Sequence, residues 1–536
     1  MNGQHNESQI SEATWPIQTS IDLIQFPGMN FDVTVPEPQM EYPMTETHPL
    51  SEEGFDEQVW MGTFQLPPKD SLAELIELFF DNLYHVFPCF HRKSFQAQVQ
   101  DSTMQRDSSL VLYAMCCVSA RYHPHLSIKK CTKDWYEQAK FAYQITPRDP
   151  WPGLRTLQAA LLLTYHASTV GDFSSSWLFL GKAWRQAIAL GLHKLDASEA
   201  ALRSLVPQDI NTGHGKLSGL GNRRDTNAVE KEEYRRTLWL LLIMDRNHAW
   251  PTGWPNAISE THFKVDIPIV DSRFQIMDPE MKESVDEHVP FTRNLDRLIT
   301  DSYSTTRPVN VFHYICIAYI ILGRVSELIH SLHDEPDTSQ YAEACEELDS
   351  DIVKFKMSLP RQATSILETA PEDRGYIVWL QITLNTSAIL LHYRSVKDIS
   401  TADVSPHFTL AVTAARNTAQ VLKDASRISI DLLLSAHIGS SLYVAACVLI
   451  IQWRATGDPR LKEELDLFEL VFDRMDEVFL FLGLKYKLAL AHDLQSSTER
   501  MEELKTRGAR GLLADCGKWT HVKNEMQRRG MTLEIT

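Results

Sequence analysis

The stretch EYRRTLWLLLIMDRNHAWPTGWPNAIS, residues Glu233–Ser259, sets two adjacent arginines at the head of an apolar run, then an Asp-Arg pair, three tryptophans and two prolines. Trp239, Leu240, Ile243 and Met244 recur at helical spacing, which predicts a helix over Glu232–Met244. Arg235 and Arg236 lie on that helix, and an arginine in a protein interior requires a carboxylate because an unpaired buried charge is costly. Asp245, or an acid from a neighbouring helix, is the expected partner. Pro251, Gly253 and Pro255 are expected to break the helix into a tight loop covered by Trp250 and Trp254. The segment contains no nucleophile–base array, so it reads as a helix and a docked loop, with a concave wall for a small ligand as a further option.

Working outward, the same period recurs along the chain from Ser71. Apolar runs of helical length occupy Leu110–Arg121, Leu154–Ser168, Ser176–Leu190, Val311–Leu332, Leu348–Ser358, Tyr376–Tyr393, Phe408–Leu422, Leu432–Trp453 and Lys462–Leu490. The first helix is expected at Ser71, where Ser71-Leu72-Ala73-Glu74 fits a capping box, and is expected to end before Pro88. Strand alternation is rare and glycine is sparse, so the predicted class is all-α: one large multi-helix domain over 71–510, followed by a C-terminal tail, 511–536. The runs 209–227, rich in Gly, Asn and Arg, and 270–305 are expected as surface excursions of that body. Leu432–Trp453 is uncharged and long enough to span a bilayer. Its His437, Gln452, serines and glycine favour a buried helix of a large all-α protein, and no membrane partner is expected.

Residues 1–70 differ in kind. They hold twelve Asp and Glu against one Lys and no Arg, about −11 of the chain's formal −18, with prolines throughout and isolated Trp15, Leu23, Phe26, Phe31 and Trp60. This is expected to be a disordered acidic arm, either a transcriptional activation segment or a solvated tail. The overall negative charge and the lack of a basic stripe argue against a strong grip on nucleic acid by the chain alone. The polar opening, Met1–Ile10, carries no export signal, and eight scattered cysteines without a C-x-x-C pair point to a reducing compartment.

Catalytic and metal motifs fail on spacing. Gly213, Gly215, Gly219 and Gly221 surround Lys216, but no Ser or Thr follows the lysine and no strand precedes it, so this is no phosphate loop. Cys116, Cys117, His123, His125 and Cys131 match no zinc-finger spacing, and a core helix followed by a turn is the expected reading. Asp81 and the run Asp473–Glu477 fall short of the aspartate-rich helix of a terpene synthase, the alternative enzyme class for an all-α chain. No catalytic, cofactor-binding or metal-binding residue is therefore assigned.

The block Arg235-Arg236, Trp239, Asp245-Arg246, Gly253-Trp254-Pro255 and Ile267-Pro268 resembles the most recognisable part of the fungal-specific transcription factor domain. Three further pieces occur in the family's order. Phe87-Pro88, His91 and Phe95 resemble its opening. Ala183, Arg185, Ala187, Leu190-Gly191-Leu192-His193 resemble its A-x-R-x-A-x-x-L-G-L-H helix. Leu359-Pro360 and Leu391-His392-Tyr393-Arg394 resemble its later helices, so the likeness runs over about 72–500. The resemblance implies a nuclear regulator acting at RNA polymerase II promoters, controlling a metabolic or secondary-metabolite gene cluster. Implied partners are promoter DNA, reached directly or through a DNA-binding partner protein or homodimer, and a small-molecule effector. Most relatives carry a six-cysteine zinc cluster near the N-terminus. Residues 1–70 contain no cysteine, so no cofactor is expected in this chain and zinc enters only with a cluster outside it.

Overall fold

The computed structural model describes residues 66–145, 153–198, 201, 227–280, 288–302, 308–335, 338–394, 406–516 and 519–528. The acidic arm up to residue 65 and the glycine loop around Lys216 lie outside these residues.

Among the described residues, thirteen helices of eleven residues or more form the frame. They are α1 (Lys69–Asn82), α2 (Ser109–Ser119), α3 (Thr132–Ile145), α4 (Leu154–Val170), α5 (Phe173–Ala189), α6 (Ala228–Thr252), α7 (Val311–His330), α8 (Ser339–Ser358), α9 (Arg374–His392), α10 (Pro406–Ser426), α11 (Gly439–Thr456), α12 (Pro459–Val478) and α13 (Leu480–Gln495). The isolated bridge Ile267–Val289 is the only extended pairing among them. The all-α expectation is met.

Packing follows chain order. α1 lies on α2, α2 on α3 and α4, and α4 on α5. A second group runs α7 on α9, α9 on α10, α10 on α11, and α11 on α12 and α13. α6 joins the two by touching α4, α5 and α7, which explains why it is buried nearly all round. One contiguous apolar core, from Leu72 to Met526, runs through both groups. α7 and the segment Ala436–Thr456 are long and apolar enough to cross a membrane, yet most of each is buried inside this core. The uncharged run at Leu432–Trp453 is thus a core element, as expected, entered through two short 3-10 turns.

Local outcomes differ where side chains override pattern. α1 begins at Lys69 with Pro68 at its N-cap, so Ser71 sits inside the helix and the expected capping box is not used. α6 runs through Pro251 to Thr252. Proline is tolerated in its last turn because Gly253, at φ 74°, closes the helix there by donating its N–H to the Ala249 carbonyl. The predicted helix Lys462–Leu490 is two helices, bent at Phe479. The expected tail contains helices Gly508–Cys516 and Trp519–Arg528, and Leu512, Val522 and Met526 lie in the main core. In 270–305, expected as a surface excursion, Phe274, Val289, Phe291 and Leu298 are buried.

Candidate functional site

The Glu233–Ser259 block builds the densest polar cluster of the interior. Arg235, Arg236, Asp245, Arg246, Glu232 and Glu233 are all buried, although such residues are rarely enclosed unless paired. Every one of them is paired. Arg235 grips Asp196 with two donors, Nε to Oδ2 at 2.8 Å and Nη2 to Oδ1 at 2.6 Å, and reaches Glu232 Oε2 with Nη1 at 2.8 Å. Burial disfavours the Asp196 carboxylate, but the two-pronged Arg235 contact outweighs it and holds its pKa below the usual range. Asp266, beside Asp196, is pushed up by burial and by that neighbouring charge.

Arg236 turns the other way. Its Nε donates to Glu232 Oε1 at 3.0 Å, Nη1 to the Pro88 carbonyl at 2.8 Å and to Asp271 Oδ1 at 2.9 Å, and Nη2 to the Ile269 carbonyl at 2.7 Å. The guanidinium carbon lies 4.1 Å from the Phe274 ring centre. Burial opposes its charge, yet Asp271 and Glu232 raise its pKa above the ordinary arginine value. One side chain thereby ties α6 to the Phe87–Phe95 turn and to the segment after Pro268.

The remaining members close the loops. Arg246 pairs with Asp245 and donates to the Ile258 carbonyl at 2.7 Å. Asp245 accepts the backbone N–H groups of Ala257 and Ile258, each at 3.0 Å. Glu233 accepts the His91 N–H at 3.1 Å and Arg155 Nη1 at 2.8 Å. Trp239 donates Nε1 to the Asp266 carbonyl at 2.9 Å and meets Phe263 and Phe291 edge to face. Of the expected partners, Asp245 or an acid from a neighbouring helix, Asp245 does not serve Arg235. It serves Arg246 and the Ala257–Ile258 turn, while Arg235 is served by Asp196 and Glu232. Trp250 is buried under the loop as expected, but Trp254 stays partly exposed and packs at a tilt on Trp177, with ring centres 4.6 Å apart.

A second polar chain lies near the other end of α6. His248 Nε2 lies 2.7 Å from Ser176 Oγ and 3.0 Å from Ser168 Oγ. Tyr319 donates its hydroxyl to Asn247 Oδ1 at 2.9 Å, and Trp379 Nε1 donates to Tyr319 Oη at 2.8 Å. Asn247 also reaches His437 Nδ1 at 2.7 Å, and His437 stacks flat on Trp379. The Ser–His contact is part-buried and ties α4 and α5 to the end of α6.

The motifs weighed from sequence fall as follows. Cys116 and Cys117 are buried in α2, where burial pushes both thiols up. His123 Nε2 sits 3.2 Å from Glu74 and His125 packs on its ring. Among the described residues, no group of three or more His, Cys, Asp or Glu is placed to hold a metal ion, and the cysteines do not fit a zinc cluster. Asp81 lies by Arg92, whereas Asp473 and Asp476 face Lys487, so these acids pair with surface cations instead of gathering. An open groove of about 540 Å³ runs over Phe80 and Tyr84, edged by Arg92, Lys93, Gln96 and Gln275. A polar cleft of about 480 Å³ flanks Arg155 and Glu233. Sequence reasoning missed Asp196, Asp271 and Arg155 as partners of the block. The one local signal was Glu232, three and four residues before the arginines, the spacing of a helical ion pair.

The family pieces meet in space as well. Pro88 and His91 touch the arginine–glutamate cluster directly. Gly191, at φ 71°, turns the chain after α5 so that the Lys264 N–H can reach the His193 carbonyl at 2.7 Å. The sequence profile of the fungal specific transcription factor domain matches residues 76–349, a little over half of the chain. The match holds the three pieces up to Ile267-Pro268. It stops short of Leu359-Pro360 and Leu391–Arg394, so it is narrower than the 72–500 likeness. A Zn(2)-C6 fungal-type transcription factor, FTF1c of Fusarium oxysporum f. sp. lycopersici, is 27% identical over 315 residues, 56% of this chain and 31% of its own length. The asperfuranone cluster transcription factor afoA of Emericella nidulans is 26% identical over 209 residues, 38% of this chain and 30% of its own. A transcriptional regulatory protein of Schizosaccharomyces pombe is 29% identical over 215 residues, 39% of this chain and 20% of its own. The chain thus spans less than a third of the length of each of these relatives. With its arginine–tryptophan–aspartate block seated at the junction of the helical body, the chain belongs to the fungal specific transcription factor domain family.

Proposed function

We propose that this chain regulates transcription in the nucleus of a fungus, controlling a metabolic or secondary-metabolite gene cluster at RNA polymerase II promoters. The observation that carries the reading is the family match over 76–349, whose relatives include a regulator named for the asperfuranone cluster. The structural role of the block supports the same reading: its charged groups are consumed in holding helices together. The helical body acts as the regulatory domain, not as an enzyme, and the acidic arm up to residue 70 acts as the activation segment. Promoter DNA is reached directly or through a DNA-binding partner protein or homodimer, and a small-molecule effector is a further partner.

Deleting the gene and comparing transcripts genome-wide tests this. A contiguous set of biosynthetic genes should lose expression and recover on complementation. Unchanged transcripts together with loss of one metabolic conversion would instead indicate an enzyme.

A further inference from the structure

The outer face of α5 joins exposed apolar and basic side chains. From Phe173 to Ala189 it contains no Asp or Glu, while Lys182 and Arg185 are its charges. Leu178 is 68% exposed, and beside it the Trp177–Trp254 pair brings Trp254, 38% exposed, to the surface from the loop after α6. On a helix, Leu178 and Arg185 lie two turns apart on one line, with Lys182 one turn from Leu178. Arg185 has no carboxylate partner among the described residues. Lys182 donates to the Tyr143 and Gln144 carbonyls and lies over the Tyr143 ring, and it has no carboxylate partner among the described residues. Exposed Pro255 extends the apolar part.

Tryptophan and arginine are the residue types that carry most of the energy in protein interfaces. We propose that this face docks an acidic, amphipathic segment of a partner protein, its apolar side on Trp177, Leu178 and Trp254 and its carboxylates on Lys182 and Arg185. A second copy of this chain is the poorer occupant. Two copies related by a twofold axis would set Arg185 and Lys182 against their own likes. The docking surface goes beyond the regulatory reading above and does not depend on it, because binding is measured on the purified chain.

The test uses the full chain and a fluorescein-labelled synthetic helix with Leu and Phe at i, i+3, i+4 and i+7 and Glu or Asp elsewhere. A second peptide carries the corresponding amides. Anisotropy should show binding of the acidic peptide that weakens with salt, and at least tenfold weaker binding of the amide peptide. Leu178→Ala should weaken binding tenfold or more with circular dichroism and melting temperature unchanged, since its side chain is exposed, and Trp254→Ala should weaken binding tenfold or more with circular dichroism unchanged. Lys182→Glu with Arg185→Glu should abolish binding of the acidic peptide and create binding of a lysine-rich counterpart. The proposal is overturned if the acidic peptide fails to bind, if the amide peptide binds as well, or if the charge-reversed chain retains the acidic peptide. Concentration-dependent dimerisation lost in Leu178→Ala would also overturn it, by showing that a second copy is the occupant.

Discussion

Replacing Arg236 by alanine removes the tie that holds the most segments together. The guanidinium engages Glu232, Asp271 and the carbonyls of Pro88 and Ile269, and lies over Phe274. Deleting one member of a buried ion pair costs about 3–5 kcal/mol because the partner is stranded. Here Glu232 keeps Arg235 and the Ile269 N–H, which softens the loss. Two buried carbonyls and the cavity left by the side chain act the other way, so a value of about 4–5 kcal/mol follows. With about 2 cal/mol/K of unfolding entropy per residue, a cooperative body of this size gains roughly 1 kcal/mol/K, and the melting temperature falls by about 4–5 °C. Differential scanning fluorimetry, with soluble yield read in parallel, measures this. Arg236→Lys should recover little, because a single ammonium cannot span four acceptors. A soluble Arg236→Ala chain with an unchanged melting temperature but lost transcriptional activity would refute the reasoning and make the block a functional contact.

Three further outcomes follow from particular contacts. Burial lowers the imidazole pKa of His85 to about 4 and, with the neighbouring histidines, that of His437 to about 3, so both are neutral when folded and take up protons near 6.5 when unfolded. Each then contributes stability that is whole above pH 6.5 and declines as pH falls towards the folded pKa. Between pH 7 and 5 the pair loses about 4 kcal/mol, and a melting temperature flat over that range would count against it. Gly323→Ala places a Cβ 2.6 Å from Arg246 Nε, an overpacking cost of about 1–3 kcal/mol that exceeds the gain of about 1 kcal/mol in helix propensity. Gly181→Ala, where a Cβ meets nothing, should be neutral or stabilising, and equal melting temperatures for the two variants would contradict the packing account.

The helical body was legible because its period is set by burial. α7 was expected to begin at Val311 and does, and α9 follows its apolar run closely, whereas α11 begins only at Gly439, after the two 3-10 turns that take up the start of its run. α3 escaped notice because Lys133, Asp134, Glu137 and Lys140 dilute a face made of Trp135, Tyr136, Ala139 and Tyr143. The break at Phe479 was hidden because helices on both sides bury apolar residues and the period runs on across it. The block was recognisable, but its partners were not. Asp196 and Asp271 meet the two arginines only after α5, α6 and the segment past Pro268 have packed, and no local spacing encodes a contact 39 or 35 residues distant.

Chromatin immunoprecipitation of the tagged chain from its own fungus, followed by sequencing, tests the central claim most directly. The account predicts enrichment at promoters of a contiguous set of biosynthetic genes, the same genes whose transcripts fall on deletion. Absence of the chain from chromatin, with those transcripts unaffected, would contradict it.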